Sequence, residues 1–266
     1  MGKARRSDPC SVFQDIDDVT YKLGKQPARH DPRTYRLDNT LHHSLIHVPP
    51  TVDWSHAITY DMNGNDRFGD CAFASQAALI LTMTTHAQAP IRLSEKQVLE
   101  NYAQATGFDP DTGANDNGTV LLDALNMWRR TGFVRPGQPG RDYLTAFGAL
   151  TPQDHGAVRR GICALGGLYV GLQVPRYIMQ VEGDWTFEAE ADWTPVGGHC
   201  VAAVGYDDAG LRFLTWGGTR HMEWSLWDRI VDECWGLVSR QNWLEVEGLS
   251  PFGENVEDLI AEIRQS

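Results

Sequence analysis

Cys71 and His199 are the two residues whose types and settings could do chemistry together. Cys71 ends a polar turn, Asn65-Asp66-Arg67-Phe68-Gly69-Asp70, and leads into an apolar run from Ala72 to Thr85 with the length and composition of a buried helix. A sulfur at a helix start meets unpaired backbone amides and the positive end of the helix dipole. Both favour thiolate over thiol, the form a nucleophile requires. His199 follows Gly197-Gly198 and opens an apolar strand read over His199 to Tyr206. The glycines let another backbone come close and the strand fixes the ring, which suits a general base. A thiolate and an imidazole so placed would attack an amide carbonyl and pass a proton to the leaving group through an acyl-enzyme.

The intervening chain has to hold these two segments face to face. Residues 1–48 are polar, basic and broken by Gly24, Pro27 and Pro32, and read as an extended, solvated arm laid over the rest. The main domain is expected over 49–250, with a helical part at about 49–150 and a β-rich part at about 165–220. Ser94 and Gln97 form a capping box for a helix over about 95–105, with Val98 and Tyr102 on one face. Leu121, Leu122, Leu125 and Trp128 recur at helical spacing up to Gly132. Thr151-Pro152-Gln153-Asp154 reads as a helix start with Thr151 as cap, the helix ending at Gly166-Gly167. Strands are expected over Leu168 to Val174, His199 to Tyr206 and Leu211 to Trp216, the last two joined through Asp207-Asp208-Ala209-Gly210. A helix from Ser225 would carry Leu226, Ile230, Cys234 and Leu237 on one face, and a last helix is expected near 256–264, within a separate segment 251–266. Helices first and strands later make the fold class α+β, with a cleft between the two parts.

Composition narrows the function. A net charge of −12 argues against a nucleic-acid surface. No apolar run reaches the roughly 20 residues that cross a bilayer, and the basic, polar start does not resemble a secretory signal. Five scattered cysteines (Cys10, Cys71, Cys163, Cys200, Cys234) without a CxxC pair fit reduced thiols better than a disulfide framework or zinc site. The expectation is a soluble, cytoplasmic protein that binds neither membrane nor nucleic acid. His43 and His47 stand four apart without the carboxylate of an HExxH site, so no metal is expected there. The Asp109 to Gly118 loop is rich in oxygen ligands, yet Val120 stands where a calcium loop needs glutamate, so it reads as a turn-rich surface loop. No cofactor motif is present.

Taken in order, several segments resemble the papain-like cysteine proteases. They are Pro50-Thr51-Val52-Asp53-Trp54, Gly69-Asp70-Cys71-Ala72-Phe73-Ala74-Ser75, Leu93-Ser94-Glu95, Gly198-His199-Cys200-Val201-Ala202-Ala203-Val204-Gly205-Tyr206 and Thr215-Trp216-Gly217-Gly218. The resemblance covers about 49–218. It implies a papain-like fold, a peptide or protein substrate, Cys71 as nucleophile and His199 as base. It also implies an oxyanion donor at Asn65, in place of the family's glutamine, with the Cys71 amide as second donor. The family's third member, an asparagine, aligns with Leu214, which leaves Thr215 or a backbone carbonyl to orient the imidazole. Ala72 replaces a tryptophan, Phe68 a disulfide cysteine, and the helix after Ser225 the closing strands. Asp70 is expected to cap the helix and to set a negative charge beside the sulfur. Other readings are an acyl or glutamyl transferase, or a catalytically inactive papain-like module for binding or assembly, its arm over residues 1–48 docking on a protein partner.

Overall fold

The computed structural model describes residues 12–14, 20–38, 48–134, 140–239, 242, 257, 258 and 261. In chain order its elements are β1 (Val12–Gln14), β2 (Thr20–Lys22), β3 (Val52–Asp53), α1 (Cys71–His86), α2 (Glu95–Thr106), α3 (Leu121–Arg130), β4 (Phe133–Val134), β5 (Arg141–Asp142) and β6 (Ala146–Leu150). Then come α4 (His155–Leu165), β7 (Leu168–Pro175), a 3-10 helix (Arg176–Gln180), β8 (Pro195–Tyr206), β9 (Gly210–Thr215), β10 (Gly218–Glu223), α5 (Trp224–Ile230) and β11 (Val231–Val238). The expected α+β class holds.

Strand β8 organises the molecule. From Gly198 to Tyr206 every residue is buried, because both faces are covered. Cys200, Ala202 and Val204 point to a layer built from α1, α2 and α3, while Val201 and Ala203 point to the opposite layer, where α4 and α5 pack. The sheet runs β10-β9-β8-β7-β11-β6 with every pair antiparallel, and β3 adds to the far end of β8. Helix α1 is apolar on nearly every side and correspondingly buried. Several of its hydroxyls bond to backbone: Ser75 Oγ donates to the Cys200 carbonyl at 2.9 Å and the Thr84 hydroxyl to the Ile80 carbonyl at 2.6 Å.

Most boundaries follow the sequence. The capping box of α2 forms with both reciprocal bonds, Gly166 ends α4 in the left-handed region at φ 77°, and Asp207 closes a turn onto Gly210. Three expectations are corrected. Helix α4 is capped by Asp154, which accepts from the Ala157 amide at 2.9 Å, because the Asp154 amide is turned back onto the Thr151 carbonyl and delays the helix. Strand β8 begins at Pro195, so His199 lies inside it, paired with Leu172 of β7. Helix α5 stops at Ile230, and Cys234 and Leu237 belong to β11, a closing strand bonded on both sides, to β7 and β6. There the pairing of an interior strand overrides a residue spacing that also fits a helix. His42, His43 and His47 lie outside the described residues, as does most of the helix expected near 256–264.

Candidate active site

The turn before α1 is tight. Asn63 and Gly64 take positive φ values of 58° and 93°, and the Arg67 and Phe68 amides return to the Gly64 carbonyl. That geometry delivers Asn65 to the interior and Cys71 to the first position of α1. The turn is pinned from outside by Asp116, whose Oδ1 accepts from the Gly69 amide at 2.9 Å and from the Tyr102 hydroxyl at 2.8 Å. The acidic loop read as surface therefore carries one residue, Asp116, that supports the cysteine turn. Among the described residues no cluster of three histidine, cysteine or acidic side chains stands ready to hold a metal.

Asp70 does not play the part expected of it. Its side chain makes no capping bond to α1, and both carboxyl oxygens are buried. Burial first, with Asp116 adding to it, holds its pKa well above the carboxylate range, against opposition from the Asp70 backbone and Asn65. It therefore sets no full negative charge beside the sulfur. In the unfolded chain Asp70 ionises near pH 4, whereas burial makes the native state resist ionisation, so this residue costs stability as pH rises above that value. Asp70→Asn is expected to stabilise the protein by about 1–3 kcal/mol at pH 7 and by much less at pH 4. Urea unfolding at the two pH values measures this, and equal effects at both would refute the assignment.

His199 is fully buried on β8. Its Nε2 lies 2.7 Å from the Thr215 hydroxyl and its ring stacks on Trp216 at 4.5 Å between centroids. Nδ1 is buried without a hydrogen-bond partner. Leu214 packs into the α1 layer instead, so the hydroxyl one residue further along β9 meets the imidazole. Burial, reinforced by the nearby Arg220 guanidinium, pushes the His199 pKa down to about 3. In this state the ring is neutral.

The arm packs beside this strand. Over residues 21–26 it is no solvated arm, because Leu23, Gly24 and Lys25 are buried. This strap runs between the cysteine turn and the histidine strand. The Lys22 amide donates to the Asn65 carbonyl at 3.1 Å, and Asn65 Nδ2 donates to the Lys22 carbonyl at 3.3 Å and the Phe68 carbonyl at 3.2 Å. The Lys25 amide donates to the Gly198 carbonyl at 2.9 Å; the Thr119 amide donates to the Gly24 carbonyl at 2.8 Å and the Gln26 amide to the Thr119 carbonyl at 3.0 Å. Gly24 lies so close to Gly69 that a Cβ would fall 2.0 Å from the Gly69 oxygen. One peptide step, about 3.8 Å between Cα atoms, thus leads from the residue beside Gly69 to the residue bonded to Gly198. Tyr21 completes the cover by stacking on Trp216 at 4.3 Å.

The sequence-derived residues are distributed as follows. Asn65 is bonded to the strap at Lys22, while Cys71 opens α1 buried in the layer that also holds Tyr169 and Cys200. His199 and Thr215 form a hydrogen-bonded pair on β8 and β9, next to the Gly198 that holds Lys25. Sequence reasoning missed Asp116, Arg220 and the strap itself. The signals available were the density of Asp and Asn before Gly118 and the isolated Leu23-Gly24-Lys25 within a polar arm.

No protein-family profile and no curated protein sequence matches the chain. Solved structures do. The cysteine protease xylellain from Xylella fastidiosa superposes with a TM-score of 0.62 at 17% identity, covering 89% of this chain and 98% of its own. A procathepsin B from Trypanosoma congolense gives 0.56 at 12%, covering 82% and 86%. The Carica candamarcensis cysteine protease CMS1MS2, solved with E-64, gives 0.55 at 15%, covering 72% and 99%. A helical layer packed on an antiparallel sheet, with the cysteine at the start of α1 and the histidine on β8, gives this chain the papain-like fold.

Proposed function

We propose that the chain is a cysteine peptidase-like thiol hydrolase, held latent by its own residues 21–26. Cys71 is the nucleophile and His199 the base that takes its proton and returns it to the leaving amine. Thr215 orients the ring, and Asn65 with the Cys71 amide receives the oxyanion. The observation that carries the reading is the state of the imidazole: one nitrogen is fixed by a hydroxyl and the other is buried with no partner. Such an unpaired nitrogen is costly unless it serves something, and proton transfer from a thiol is a service it can perform. The strap supports the same reading, because its backbone bonds to Asn65, Thr119 and Gly198 are those an extended peptide would make on being added to two walls of a cleft.

Thiol reactivity tests this. Alkylation of Cys71 by iodoacetamide, followed by peptide mass mapping, is expected to be slow in the intact protein and fast once the strap is destabilised. Cys163, Cys200 and Cys234, all buried, should stay unmodified in both. E-64, found with the Carica candamarcensis protease, should slow the fast reaction. A Cys71 that stays inert after strap release would sink the hydrolase and favour a module for binding or assembly.

A smaller effect belongs to Thr215. Thr215→Val keeps the shape and removes the hydroxyl, so kcat is expected to fall about 3–10-fold, the worth of one hydrogen bond of about 1 kcal/mol. KM should be nearly unchanged. A Thr215→Ser variant that fails to restore kcat would show that the hydroxyl does not orient the ring.

A further inference from the structure

Lys25 is a lysine whose side chain is 0% exposed. Its ammonium lies 2.9 Å from Asp232 Oδ2 and 3.2 Å from Glu233 Oε1. Both carboxylates are set from β11 by neighbours other than Lys25: Gln173 Nε2 donates to Asp232 at 2.9 Å and Trp235 Nε1 donates to Glu233 Oε2 at 2.9 Å. Room for the lysine stem is made by Gly171 of β7, where a Cβ would fall 2.3 Å from Lys25 Cε and 2.6 Å from Glu233 Cγ. The pocket opens beside the Gly198 carbonyl that receives the Lys25 amide, so it belongs to whichever chain lies in the cleft.

When the strap leaves, two adjacent carboxylates, one of them buried, lose their cation. Uncompensated charge of this kind is expensive, and a site built to pair a charged group discriminates strongly against a side chain that lacks one. We propose that the cleft selects peptides bearing lysine or arginine, received by the Asp232 and Glu233 pocket that Lys25 now fills. The proposal rests on the hydrolase reading for its consequence in turnover, but the pocket is testable by binding alone.

The full-length Lys25→Ala variant leaves the pocket vacant. Its affinity for a synthetic peptide of residues 20–27, which carries the native Lys25 as well as Lys22, is compared by fluorescence anisotropy with that for the same peptide carrying leucine at position 25. The lysine peptide is expected to bind at least about 10-fold tighter, a difference of about 1.4 kcal/mol. Adding Glu233→Gln should bring the ratio close to one. Should Lys25→Ala not fold, the Gly24→Ala protein carries the same comparison. Equal binding of the two peptides overturns the pocket. Turnover of a peptide library by Lys25→Ala should then favour lysine or arginine over leucine by a similar factor, and an apolar preference also overturns it. Absence of all turnover with the binding ratio intact would instead overturn the hydrolase and uphold the pocket.

Discussion

Gly24→Ala is expected to turn a thiol that alkylates slowly into one that alkylates about 10- to 100-fold faster. A methyl at this position would sit 2.0 Å from the Gly69 carbonyl oxygen and 2.4 Å from its Cα, and both belong to backbone that Asp116 holds in place. No rotamer change relieves that overlap. Either the strap lifts or the cysteine turn moves, and overpacking of this kind costs about 1–3 kcal/mol. The strap is held by a few backbone hydrogen bonds of about 1 kcal/mol each, the Lys25 ion pairs and the Tyr21 stack. A shift of 1–3 kcal/mol in that balance raises the open fraction by about one to two factors of ten. Alkylation of Cys71 reads that fraction, and peptide turnover should rise in parallel. An unchanged alkylation rate in a folded Gly24→Ala protein would show that the strap does not govern access to the cysteine.

The two walls of the cleft were legible in the sequence for separate reasons. On one side, a polar turn running into an apolar helix is a local pattern, so Cys71 could be placed from its neighbours alone, whereas Asn65 was singled out only by the family resemblance. On the other, an unbroken apolar strand announces its own burial, which placed His199, although pairing with β7 extended the strand back to Pro195. What local patterns could not convey was long-range. Asp116 looks like any loop aspartate until Gly69 and Tyr102 converge on it. Lys25 looks like any arm lysine until Asp232 and Glu233, more than 200 positions away, close around it. The helical spacing of Leu226, Ile230, Cys234 and Leu237 was real, but a strand bonded to β6 and β7 gains ladder bonds that a longer helix would forgo.

Replacing His199 by alanine in the Gly24→Ala background is expected to lower kcat/KM by at least about 10³-fold, since the proposed mechanism loses both proton transfers at once. The same substitution has a second signature, independent of turnover. In the closed protein the His199 pKa lies at about 3, chiefly through burial, whereas the unfolded side chain titrates near 6.5. Between those values the unfolded chain binds a proton that the native state refuses, so the native state loses stability as pH falls from about 6.5 towards about 3. The loss amounts to about 4 kcal/mol across the window. His199→Ala in the otherwise native chain should remove that slope while leaving stability above pH 7 governed by the cavity it creates. The two readouts divide the roles cleanly. A histidine that only fills the core would flatten the stability profile without affecting turnover in the opened protein. A histidine that serves as the base must do both, because the same ring then sets the native proton affinity and carries the transferred proton.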